Sequence, residues 1–103
     1  MKRFLYIFGF QTPRQRNGPS ARDDENSEMI WISAESDRAA LEWGREISER
    51  FVNLLFDNPS VSWKDDAFAH WIEEDKLKSS SDVQMVNSGE YPDFDQWLRR
   101  HSS

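Results

Sequence analysis

The chain has no cysteine. That excludes disulfides, thiolate nucleophiles and cysteine-bound zinc, and a reducing, cytoplasmic setting is the expected one. Histidine occurs only at positions 70 and 101, too few for a His-rich transition-metal centre. The four glycines form no phosphate-binding loop and no G-x-S-x-G nucleophile turn. No apolar run reaches the ~20 residues of a membrane helix. The opening Lys2-Arg3 followed by Phe4-Leu5-Tyr6-Ile7-Phe8-Gly9-Phe10 mimics a signal peptide, but no A-x-A-like cleavage site follows and the run is aromatic rather than leucine-rich. An acid-poor, Arg-containing start also mimics a transit peptide. Mature structure is expected from these residues instead. At 103 residues one domain, 1–103, is expected. A chain of this size hides roughly 60–68% of its unfolded surface, which leaves no room for a large cofactor cavity, and no cofactor or metal is expected.

What is abundant is aromatic and acidic. Five tryptophans and seven phenylalanines supply either core volume or interface anchors. The formal charge of -6 argues against general binding of nucleic-acid phosphates and favours a basic partner. The charge is unevenly placed. Lys2, Arg3, Arg14, Arg16 and Arg22 precede every acid, and all 19 acids lie from Asp23 onward. The sign changes inside a long polar loop, about 11–27, far longer than the two to five residues usual between hairpin strands.

Periodicity places the elements. Residues 3–10 read as a central strand, with Phe4, Tyr6, Phe8 and Phe10 on one face and Leu5, Ile7 and Gly9 on the other. Residues 28–34 read as its antiparallel neighbour. Residues 36–56 carry one apolar stripe (Ala40, Trp43, Gly44, Ile47, Phe51, Leu54, Leu55) on an α-helix with Ser36 as N-cap. Gly44 on that stripe predicts close approach to the sheet. Residues 67–74 fit two periods: alternation favours a strand, while helical spacing would group Phe68, Trp71 and Ile72 after an Asp65 cap. Val83, Met85 and Asn87 suggest a short strand, and Pro92 opens a last helix with Phe94, Trp97 and Leu98 on one face. The resulting order β-β-α-β-(β)-α predicts an α+β fold: a two-layer sandwich of a mostly antiparallel sheet with the long helix across a face. The short C-terminal helix is expected over the other face or an edge.

Candidate sites follow from the residues left over. Trp31 and Trp43 are expected in the core and Trp97 under the last helix, which leaves Trp63 and Trp71 as candidate exposed anchors. The acidic runs Asp65-Asp66 and Glu73-Glu74-Asp75 lack the spacing and glycine of an EF-hand, and consecutive loop acids point in different directions, unlike a two-metal site. They suit a docking patch. Arg14, Arg16 and Arg22 could grip a partner's carboxylates bidentately. His70 beside Trp71 has the chemistry of a general base, whereas His101, near the end of the sequence, reads as a mobile or helix-end cation. The leading expectation is a non-enzymatic protein-binding domain of the inhibitor or immunity type that docks on a basic partner, with no membrane role. The alternative is a small accessory subunit held in an assembly by the Arg-rich loop. A third reading is a hydrolase or nuclease using His70.

Overall fold

The computed structural model describes residues 2–12, 26–58, 69–73 and 83–101. The elements run β1 (Lys2–Phe10), β2 (Asn26–Ala34), α1 (Asp37–Phe56), β3 (His70–Glu73), β4 (Met85–Asn87) and α2 (Phe94–His101). The four strands form one sheet in the order β3-β1-β2-β4. β1 pairs antiparallel with β2 and β3, and β2 pairs parallel with β4, so the α+β sheet is mixed, with two of three pairings antiparallel. β1 is central, as two apolar faces require, and Leu5, Tyr6 and Phe8 are all inaccessible to solvent. The β1–β2 ladder continues to Phe10 opposite Asn26. Asn26 and Ser27 therefore belong to β2 and not to the polar loop, since ladder hydrogen bonds come from the backbone whatever the side chain.

Register assigns the faces. Tyr6 lies opposite both Ile30 and Ile72, Phe8 opposite Glu28 and His70, and Ile32 opposite Phe4 and Val86. All of these point toward α1. Ser36 caps that helix by accepting the Ala39 N–H at 3.1 Å. Asp57 closes it in the left-handed region, φ 51°, with N–H groups of Asp57 and Asn58 returning to the carbonyls of Leu54 and Asn53. The buried arc comprises Ala40, Gly44, Ile47, Ser48, Phe51 and Val52. It is rotated from the expected stripe: Ser48 and Val52 move inward, Trp43 sits at the margin, and Leu54 turns 44% exposed. Gly44 explains how closely the layers meet. A methyl group there would run into the ring carbons of Tyr6, so at this position the usual ~1 kcal/mol advantage of alanine in a helix is unavailable.

The C-terminal helix does not take the other face or an edge. α2 lies beside α1 on the same side of the sheet. Its Trp97, 1% exposed, packs on Phe8 and Phe51 with ring centroids 5.8 and 5.3 Å apart. The start of α2 is tied to β4 by the Gln84 amide, which accepts the Asp93 N–H at 2.7 Å and donates to the Asp93 carbonyl at 3.0 Å. Gly89, φ 98°, makes the turn between β4 and this helix, and β4 presents Val86, not Met85, to the core.

Candidate functional site

Of the proposed partner-binding residues, Glu73 and Trp71 are described. They sit on β3, on the sheet face opposite α1, and the Trp71 indole N–H donates to the Glu73 carboxylate at 2.9 Å. Trp71 is 42% exposed, as an anchor requires. In the same register row as Glu73 stand Leu5, Trp31 and Met85, and beside Trp71 stand Ile7 and Met29. Met85 is 53% exposed, and the Arg3 guanidinium lies 5.3 Å above the Trp31 ring. Trp31 is thus half-buried on this outer face and does not belong to the core between sheet and helices. Trp63, Asp65, Asp66, Glu74, Asp75, Arg14, Arg16 and Arg22 lie outside the described residues.

A second surface was not legible in the sequence. At the C-terminal end of α1 a groove of about 440 Å³ is lined by Glu46, Glu49, Arg50, Leu54, Asp57 and Tyr91, among others. Leu54 and Tyr91 are both close to half exposed. The Arg50 guanidinium stacks 5.1 Å from the Tyr91 ring, which also leans on Trp43 at 5.0 Å. Trp43 is therefore a half-buried bridge, its indole N–H bonded to the Glu90 carbonyl at 2.7 Å. Asn53, also in the lining, has a buried Oδ1 with no hydrogen-bond partner among the described residues.

The two histidines are both committed. His101 is not a mobile end: its Nε2 lies 2.7 Å from Glu28, and its ring meets Phe10 edge-on at 4.8 Å. Glu28, 7% exposed, also takes two hydrogen bonds from Arg100, at 3.0 and 3.3 Å. The signal was present in the sequence as an acid at an inward position of an alternating strand. It could not name its partners 72 and 73 residues away.

His70 is half-buried on edge strand β3, with Nδ1 2.9 Å from the Tyr6 hydroxyl. It forms part of the wall of a shallow pocket with Asp37, Arg38, Leu41, Trp71 and Ile72. Burial, and then the positive charge of Arg45 on α1, hold its pKa below the ordinary 6.5. Burial likewise pushes the Tyr6 phenol well up, against smaller opposing effects of Ser48 and Arg45, so Tyr6 keeps its proton. The sign for stability follows from linkage. Above pH 6.5 His70 is neutral in both folded and unfolded chains. As pH falls from there toward the lower folded value, only the unfolded chain takes up the proton, so stability is lost with falling pH across that window. Urea unfolding of wild type and His70→Gln over this range is expected to show a steeper fall in wild type. Parallel curves would show that His70 does not titrate differently on folding.

Among the described residues no group of three or more His, Asp or Glu side chains could hold a metal ion, and no helix is long and apolar enough to cross a membrane. No protein-family model, curated protein or solved structure matches the chain.

Proposed function

We propose that this chain is a non-enzymatic protein-binding domain that receives a basic segment of a larger partner in the groove at the end of α1, in the manner of an inhibitor or immunity protein. The observation that carries this reading is the pairing of two exposed apolar anchors, Leu54 and Tyr91, with Glu46, Glu49 and Asp57 around them and one base, Arg50, among them. The last turn of α1 has no basic residue. The partial negative charge of that helix end is therefore not offset from within the helix, and it adds to the attraction for a cation. The face of Tyr91 already takes one guanidinium, so this surface suits a cationic side chain. Acids at the rim would steer the encounter, and the apolar anchors would hold it.

A second reading is favoured by the outer sheet face, where Trp71 and Met85 are exposed. Anchor truncations separate the two. Tagged full-length protein carrying Leu54→Ala with Tyr91→Ala is expected to lose at least about tenfold in affinity for the partner that wild type retains, since anchor truncations commonly cost more than ~1 kcal/mol each. Trp71→Ala should leave that affinity within about twofold. The converse pattern would move the interface to the sheet face. Full affinity in both variants would overturn the binding reading for these surfaces.

A further inference from the structure

Tyr6 is wholly buried at the centre of the sheet, yet its hydroxyl has two partners. Ser48 Oγ lies 2.8 Å away and His70 Nδ1 2.9 Å away. Ser48 Oγ is in turn 2.9 Å from the Gly44 carbonyl oxygen, one helical turn earlier. The absence of a side chain at Gly44 is what lets the Tyr6 ring lie against α1 and reach Ser48.

There are three contacts and three protons to fill them. The Gly44 carbonyl has none, so Ser48 donates to it. Ser48 then has only lone pairs for Tyr6, and the phenol donates to Ser48. Tyr6 in turn has only lone pairs for His70, and Nδ1 donates to Tyr6. Every other assignment leaves one of these contacts without a proton, and an unmade hydrogen bond away from water is costly.

The geometry points to Tyr6 and Ser48 as positioning residues that hold neutral His70 in the Nδ1–H tautomer, leaving Nε2 as the basic atom of the ring. Histidine in water favours the opposite tautomer, with the proton on Nε2. The relay therefore selects the minority form, and Nε2 meets whatever it contacts as an acceptor. Protonation of His70 keeps the Nδ1–H bond, so the relay survives titration while the ring gains charge beside Arg45. Among the described residues, Asp37 and Arg38, at the start of α1, share the pocket wall with His70. This assignment is independent of the groove at the other end of α1.

Long-range ¹H–¹⁵N correlation spectra of the full chain, recorded above pH 6.5, read the tautomer directly. In wild type the pyrrole-type nitrogen signal of His70 is expected at Nδ1 and the pyridine-type signal at Nε2. Ser48→Ala removes the acceptor of the phenol proton. Tyr6 is then left to donate to His70, and the two signals should exchange places. Tyr6→Phe removes the phenol and should return the ring to the mixture found in water. A wild-type ring protonated at Nε2 overturns the proposal without recourse to any variant. So does an unchanged Nδ1–H pattern in folded Ser48→Ala.

Discussion

Phe51→Ala is expected to lower the unfolding free energy by about 3–5 kcal/mol, the range for removing a large ring from a packed core. Phe51 is inaccessible to solvent and stands where the rings of the sheet, α1 and α2 meet. From α1 it touches Phe10 at 5.1 Å and Phe8 at 6.1 Å on the sheet, Trp97 at 5.3 Å, Phe94 at 6.4 Å and His101 at 6.3 Å on α2. Alanine would leave a cavity bounded by rigid rings, and rings collapse into a void less readily than flexible side chains do. Against the ~5–15 kcal/mol that stabilises a typical domain, this loss is a large fraction of the total. Urea unfolding monitored by circular dichroism checks it. Phe51→Leu, which refills part of the volume, should recover more than half of the loss. A cost below about 1 kcal/mol for the alanine variant would show that the two helices do not share one core through this ring.

Glu28→Gln is expected to cost roughly 2–3 kcal/mol and to act on α2 first. The Glu28 side chain is 8% exposed and takes hydrogen bonds from Arg100, itself 46% exposed, while His101 lies 2.7 Å from the same carboxylate. Glutamine keeps the shape but turns one acceptor oxygen into an NH₂ group facing other donors. Arg100 can turn to water, which holds the loss near the lower end for breaking a buried pair. The amides of Trp97 to His101 should lose hydrogen-exchange protection before those of β1 and α1, because the clamp fastens the last turn of α2 to β2. Arg99→Ala on the exposed side should change stability by less than about 0.5 kcal/mol. Uniform loss of protection across the whole chain in Glu28→Gln would show that α2 does not open independently.

Much of the architecture was legible because it rests on local periodicity. The two-sided apolar run of β1, the alternation of β2, the Ser36 cap and the close approach implied by Gly44 are each written within a few residues. The boundaries missed were the ones that backbone pairing decides. Asn26 and Ser27 look like loop residues until Gly9 and Phe10 are found opposite them. The side of the sheet that α2 occupies was missed for a related reason. Its apolar face of Phe94, Trp97 and Leu98 shows that it docks, and nothing local shows where.

The candidate surfaces divide in the same way. The exposure of Trp71 was legible because it alternates against His70 and Ile72 on a short strand. The α1 groove was not, because Leu54 fits the apolar stripe of the helix within one residue step. Only the actual rotation of α1, with Ser48 bonded to Tyr6 and Val52 turned inward, puts Leu54 beside Tyr91 on the surface.

By itself, the sequence determined the kinds of element, the central place of β1, the acidic balance and the exclusion of cysteine chemistry. These depend on side-chain type and on spacings of two to four residues. The tertiary structure alone decided the Tyr6–Ser48–His70 relay, the Glu28 clamp and the groove at the end of α1. Each joins groups some forty to seventy positions apart. Hydrogen bonds and ring contacts act over a few ångströms in space, and only folding brings such distant positions within that range.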